Sequence, residues 1–323
     1  MIDILLLIVG LVLILTGANY LVDGASAIAK RAGLSDFIIG MTIVGIGTST
    51  PEMVVSFASA IKGNADIAVG NVLGSNIFNT LMILGATALF SPIRLTSNNV
   101  KKDIPFALLA AFVLCTFGCS TWLDGTAVNI ITRVGGILLL SLFGVFMAYT
   151  IYSSGSQKAS NTPDELSGSK KTAPIWLASL MILGGLCGLV FGGDMFVNAA
   201  SAIAKSLGVS DAVIAVTIVA GGTSLPELAS CLVAAYKKNT DQALGNVIGS
   251  NVSNIFLILG GSATIHPLVM AGTKPLDLIT LMVSSILIFL FAFTFKKKQI
   301  DRIEGALLVC LYIAFVVLTL KSL

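Results

Sequence analysis

Two acidic residues stand inside apolar stretches that should exclude them. Glu52 closes the segment Gly45-Ile46-Gly47-Thr48-Ser49-Thr50-Pro51-Glu52, and Glu227 closes Gly221-Gly222-Thr223-Ser224-Leu225-Pro226-Glu227. An acidic side chain at mid-bilayer costs about 2.5–3.5 kcal/mol even on the lenient insertion scale, so two of them imply a cation. Proline has no N–H and its ring clashes with the carbonyl four residues back, while the glycines tolerate the resulting geometry. Each break is therefore expected to release backbone carbonyls at mid-membrane, where protein, water or an ion must satisfy them.

A second pair of segments supplies more oxygen. Gly70-Asn71-Val72-Leu73-Gly74-Ser75-Asn76-Ile77-Phe78-Asn79 has its match in Gly245-Asn246-Val247-Ile248-Gly249-Ser250-Asn251-Val252-Ser253-Asn254. Ser75 and Asn79 are four residues apart, as are Ser250 and Asn254, so each pair shares one helix face. With Thr48, Ser49, Thr223 and Ser224 the donors are carboxylate, amide, hydroxyl and carbonyl oxygens, with no His or Cys among them. Such a set selects hard cations, Ca²⁺ and Na⁺, over zinc or copper. Taken alone, a stretch such as Gly74-Ser75-Asn76 reads as helix packing; a Pro-Glu break that occurs twice does not.

The elements that must position these residues follow from composition. The chain has 323 residues, 56% hydrophobic and only 11% charged, with a mean hydropathy of +0.97. A soluble domain carries roughly a quarter charged residues. Continuous apolar runs of about 20 residues exclude a membrane β-barrel and predict an all-α polytopic protein in the lipid bilayer. Ten spans are expected, over 2–29, 36–61, 66–90, 104–122, 127–151, 175–204, 211–236, 241–265, 275–295 and 302–320. The net charge of +3 is scattered over short connections, which implies no nucleic-acid partner. The five cysteines lie inside apolar runs without metal-ligand spacing.

An offset of 175 aligns the two halves without a gap. Residues 22–79 against 197–254 give 31 identities in 58 positions, including the colinear Gly, Ser, Pro, Glu and Asn of both motif pairs. The expected organisation is a first five-helix repeat over 1–152, a linker over 153–174 and a second five-helix repeat over 175–323. Five spans is an odd number, so the second copy enters from the opposite face. Inverted repeats with broken helices at mid-membrane are a pattern of secondary transporters.

Lysine and arginine placement orients the chain. One set of alternate connections holds fourteen, among them Lys30, Arg94, Lys101 and Lys298; the opposite set holds Lys62, Lys205, Lys274 and Lys321. The excess marks the cytoplasmic side, which places both termini outside and the linker in the cytoplasm. Arg133 falls inside the predicted fifth span and is expected to snorkel outward; Trp122 reads as an outer-interface anchor.

The paired segments GTSTPE with GNVLGSNIFN and GGTSLPE with GNVIGSNVSN resemble the α-repeats of the cation/calcium exchanger superfamily, specifically the short prokaryotic sodium/calcium exchangers. The resemblance covers essentially the whole chain. It implies a secondary-active antiporter of a prokaryotic inner membrane, working as a monomer without a cofactor, and opened alternately by sliding of the first and sixth helices. It further implies Glu52 and Glu227 as carboxylate ligands shared by Ca²⁺ and Na⁺. Thr48, Ser49, Ser75, Thr223, Ser224 and Ser250 correspond to hydroxyl or carbonyl ligands, Gly45 and Ala220 to backbone-carbonyl ligands, and Asn79 and Asn254 complete the centre. Potassium-dependent members, and some potassium-independent prokaryotic ones, carry Asp where this chain has Asn254; with Asn the centre has two carboxylates and not three, which argues against a K⁺ requirement.

Other functions are weaker readings. Proton/Ca²⁺ exchange could use the same carboxylates, although a hydroxyl-rich set suits Na⁺ better. An intramembrane hydrolase would need an acid/base pair with a water or a zinc site, and the chain has no HExxH.

Overall fold

The computed structural model describes residues 2–125, 127–158, 173–208, 220–294 and 298–321. α1 (Ile2–Ala32) leads into a broken element made of α2 (Asp36–Ile39), a π-helical turn over Gly40–Val44, α3 (Gly45–Thr48) and α4 (Thr50–Ile61). α5 (Ala65–Ile77) passes through a second π-helical turn, Phe78–Ile83, into α6 (Leu84–Phe90). Strand β1 (Ile93–Arg94) and a third π-helical turn, Asn99–Asp103, precede α7 (Ile104–Gly118) and the short α8 (Ser120–Leu123). β2 (Ile130–Ile131) and α9 (Arg133–Lys158) complete the first copy.

The second copy comprises α10 (Ile175–Ser206), α11 (Ala220–Gly222) and α12 (Leu225–Tyr236), then α13 (Thr240–Ser253), a π-helical turn over Asn254–Leu259 and α14 (Gly260–Ile265). β3 (Leu268–Val269), α15 (Pro275–Phe291), β4 (Gln299–Ile300) and α16 (Arg302–Lys321) follow. Among the described residues six helices are long and apolar enough to cross a membrane, and a seventh if the pair Asp36–Thr48 and Thr50–Ile61, bent by 46°, is one span. The chain is a mostly helical, multi-pass membrane protein.

Residues 209–219, the first half of the predicted seventh span, and 159–172, most of the predicted linker, lie outside the described residues. The fifth span differs from expectation. Its helix starts at Arg133, not near 127, because Ile130 and Ile131 are drawn into a strand pair with Leu268 and Val269. Arg133 is therefore the exposed first residue of α9 and has no need to reach out of a span. At its other end α9 continues to Lys158.

Burial separates a centre from a rim. Of the most apolar stretch of Thr240–Ile265, 94% is buried, and of Ala65–Phe90, 72%, against 28% for α1 and α10. The segments carrying the Gly-Asn-Gly-Ser-Asn motifs thus form the middle, and α1 and α10 form an outer pair. Those two run antiparallel in backbone contact. A Cβ on Gly10 would lie 2.9 Å from the Gly192 carbonyl oxygen, one on Gly17 2.7 Å from that of Gly185, and one on Gly24 2.7 Å from that of Ala178. The pairings are reciprocal, since Gly185 and Gly192 are the 175-offset equivalents of Gly10 and Gly17.

The broken element presses on α13 just as closely. A Cβ on Gly249 would stand 2.0 Å from the Met41 carbonyl oxygen, and one on Gly245 2.2 Å from that of Phe37. Only glycine lets a broken helix and an unbroken one approach at backbone distance.

Two small antiparallel sheets join the copies. Ile93 and Arg94 pair with Ile300 and Gln299, and Ile130 and Ile131 pair with Val269 and Leu268. In each sheet the link after the α5–α6 or α13–α14 element of one copy meets the link before the last helix of the other.

Candidate cation-binding site

The break in the first copy falls at Ser49, whose φ of −77° and ψ of 10° leave the helix before α4 starts at Thr50 with Pro51 in its first turn. Ser224, with φ −93° and ψ 9°, does the same before α12 starts at Leu225 with Pro226 in its first turn. Because proline fits the first helical turn, where N–H groups lack intrahelical partners, each break restarts a helix and places the next residue, Glu52 or Glu227, inside that turn. Both glutamates are fully buried.

The two copies exchange hydroxyls across the centre. Ser49 Oγ donates to Glu227 Oε1 at 3.0 Å, and Ser224 Oγ donates to Glu52 Oε1 at 2.8 Å. Ser75 Oγ adds a bond to Glu52 Oε1 at 3.2 Å. Ser250 Oγ donates instead to the Gly45 carbonyl at 3.1 Å, and Thr48 Oγ1 to Asn246 Oδ1 at 3.1 Å. Thr223 is half-buried, with its Oγ1 3.5 Å from Asn71 Oδ1. The carbonyls at the first break are shared rather than bare: Gly47 takes the Thr50 hydroxyl at 2.7 Å, and Gly45 accepts the Ser49 N–H at 3.3 Å besides Ser250. Ala220 opens α11, one turn before Ser224.

Asn79 and Asn254 are each at the start of a π-helical turn, Asn254 as its first residue and Asn79 as its second. Such turns widen the helix by one residue and are frequent at functional sites. Neither asparagine is exposed, and neither side-chain amide has a hydrogen-bond partner among the described residues. The same is true of Glu52 Oε2 and Glu227 Oε2. Buried polar atoms are nearly always satisfied, so unpartnered oxygens on two carboxylates and two amides, in equivalent positions, mark a place built to receive something. No basic residue forms an ion pair with either glutamate among the described residues. Two uncompensated buried carboxylates call for positive charge from a ligand.

Two further residues join this network that the candidate set omitted. Asn246 Nδ2 donates to Ser230 Oγ at 2.7 Å while its Oδ1 takes the hydroxyls of Thr48 and Ser250. Asn71 Nδ2 donates to the Glu52 carbonyl at 3.3 Å and to Ser56 Oγ at 3.1 Å. Their position, four residues before Ser75 and Ser250, was the available signal: the same helix face continues one turn earlier.

Known proteins resemble the chain in sequence and in fold. The family model described as "Sodium/calcium exchanger protein" matches residues 2–152 and 177–321. The sodium/calcium exchanger MaX1 of Methanosarcina acetivorans is 33% identical over 98% of both chains, and the putative antiporter CaxA of Alkalimonas amylolytica 37% identical over 98% of both. The solved structure of the sodium-calcium exchanger NCX_Mj soaked with Na⁺ and Sr²⁺ superimposes with a TM-score of 0.81 at 31% identity, covering 98% of each chain. With family match, relatives and fold in agreement over nearly its whole length, the chain belongs to the sodium/calcium exchanger family.

Proposed function

We propose that the protein exports Ca²⁺ against Na⁺ entry by alternating access, without a K⁺ requirement. The observation that carries this reading is the pair of buried glutamates, each hydrogen-bonded by a serine of the other copy and each left with a free carboxylate oxygen. Glu52 and Glu227 neutralise one Ca²⁺ or most of the charge of a Na⁺ group. Thr48, Ser49, Ser75, Asn79, Thr223, Ser224, Ser250 and Asn254, with the carbonyls of Gly45 and Ala220, complete the coordination. Both ions need the same carboxylates, so binding of one displaces the other and the fluxes are coupled. Asn254 cannot ionise, which leaves the centre with two carboxylates and supports K⁺ independence.

The scaffold is proposed to be ten spans in two inverted five-helix repeats. The seven candidate spans, together with Ile104–Gly118, Leu225–Tyr236 and Pro275–Phe291, support that number. The sheet pairing supports the inversion. If the copies were parallel in the membrane, the β1 link of one and the β4 link of the other would lie on opposite faces and could not meet.

Uptake of ⁴⁵Ca²⁺ into Na⁺-loaded proteoliposomes tests the function. Uptake is expected to require the Na⁺ gradient and to be the same with or without K⁺; uptake driven by a pH gradient in the absence of Na⁺ would replace this reading with proton/Ca²⁺ exchange. Orientation has its own measurement. A cysteine introduced within 159–172 is expected to resist an impermeant maleimide on intact cells, while one appended after Leu323 reacts. Equal labelling from outside would overturn the assignment of both termini to the outer face.

A further inference from the structure

A cavity of about 380 Å³ opens between the link that follows β1 and the C-terminal end of α15. It lies toward the face where Lys30, Arg94, Lys237 and Gln299 gather around a vestibule of about 1140 Å³. Its wall is apolar, formed by Val100, Pro105, Phe289 and Phe293, and Phe293 is 59% exposed. Its rim carries Ser97, Lys101 and Lys298.

Lys298 is held firmly. Its φ of 60° is a left-handed conformation that a non-glycine residue keeps only when its surroundings impose it. Here its N–H donates to the Ala292 carbonyl at 2.9 Å, its carbonyl accepts the Leu95 N–H at 2.8 Å, and its Nζ donates to Ser97 Oγ at 2.8 Å. Neither Lys101 nor Lys298 forms an ion pair among the described residues. The nearby Asp301 carboxylate is engaged by the backbone N–H groups of Ile303 and Glu304. Lys101 corresponds at the 175 offset to Leu276, and Lys298, just before β4 with its carbonyl accepting the Leu95 N–H, has its counterpart in Asn129, just before β2 with its carbonyl accepting the Met270 N–H, so this pair of charges exists at one end of the molecule only.

The geometry points to a binding site for an anionic phospholipid, its phosphate between Lys101 and Lys298 and an acyl chain along Phe289 and Phe293. Two unpaired cationic side chains above an aromatic and aliphatic wall, at a membrane surface, complement that molecule at both ends. Lys101 belongs to the first copy and Lys298, Phe289 and Phe293 to the second. A lipid seated here therefore braces the β1–β4 sheet that joins them. Only the choice of leaflet, the cytoplasmic one, rests on the orientation proposed above.

The test uses the full chain, delipidated in neutral detergent, and follows its melting temperature as phosphatidylglycerol, phosphatidylcholine with the same acyl chains, or glycerol 3-phosphate is added. Phosphatidylglycerol is expected to raise the melting temperature saturably, and the other two to leave it unchanged. Lys101→Gln should raise the phosphatidylglycerol concentration at half-effect roughly fivefold, and Lys101→Gln with Lys298→Gln roughly 25-fold, while Lys321→Gln changes nothing. If the double variant does not melt cooperatively, the exposed Lys101→Gln alone decides. An equal shift with phosphatidylcholine, a glycerol 3-phosphate effect as large as the lipid's, or an unaltered half-effect concentration in Lys101→Gln would each overturn the site. A role of these lysines in setting topology alone would leave the detergent measurement unmoved, because orientation is already decided in the purified protein.

Discussion

Glu52→Gln and Glu227→Gln are each expected to remove nearly all Na⁺-driven Ca²⁺ flux while leaving a protein that purifies and melts cooperatively. Glutamine keeps the size of the side chain and an oxygen able to accept the hydroxyls of Ser224 and Ser75, or of Ser49. What disappears is one of two negative charges in a centre where no basic residue makes an ion pair with either. Removing one partner of a buried charge interaction costs about 3–5 kcal/mol, which is on the order of a hundredfold or more in ion affinity. The effect should be similar for both variants, since each glutamate receives a serine from the opposite copy. ⁴⁵Ca²⁺ uptake by reconstituted variants, matched for protein content, measures it. If either variant kept most of the parental flux, the shared-carboxylate mechanism would be wrong.

The second large effect is steric. Gly249→Ala adds a carbon 2.0 Å from the Met41 carbonyl oxygen, a backbone atom that no side-chain rotation can move aside. Overpacking of this kind destabilises by about 1–3 kcal/mol and forces the backbones apart. Ser250, the next residue, would then lose its 3.1 Å bond to the Gly45 carbonyl, and the face of α13 that meets the broken element would shift as a unit. The variant should melt at a lower temperature and exchange Ca²⁺ far more slowly than the parent. Parental melting and flux together would show that the approach of Met41 to α13 is looser than the structure has it.

Much of this was legible in the sequence because the signals were long or doubled. Apolar runs of bilayer length gave the helices, and among the acidic pairs that recur at the 175 offset only Glu52 and Glu227 follow a proline break in the middle of such a run. Pattern alone could not say which side chain meets which. That Ser49 serves Glu227 and Ser224 serves Glu52 is a property of the packed molecule, since a sequence repeat says that positions are equivalent without saying whether they touch. Asn71 and Asn246 carry no such mark, because an amide in a glycine-rich helix reads equally well as packing. The π-helical turns at Asn79 and Asn254 have no periodicity of their own, and two-residue strands such as Ile130–Ile131 are too short to alternate, so the start of α9 was placed several residues early.

The crossed strand pairs bear on how the molecule can be made. β1 emerges from the ribosome about two hundred residues ahead of β4, the strand that completes it, and β2 likewise precedes β3. Throughout synthesis of the second copy, the first holds open backbone donors and acceptors at both of its ends. Each sheet closes a long loop, and contacts so distant along the chain form late. The two copies are therefore stitched by their last-made contacts, at opposite ends of the bundle.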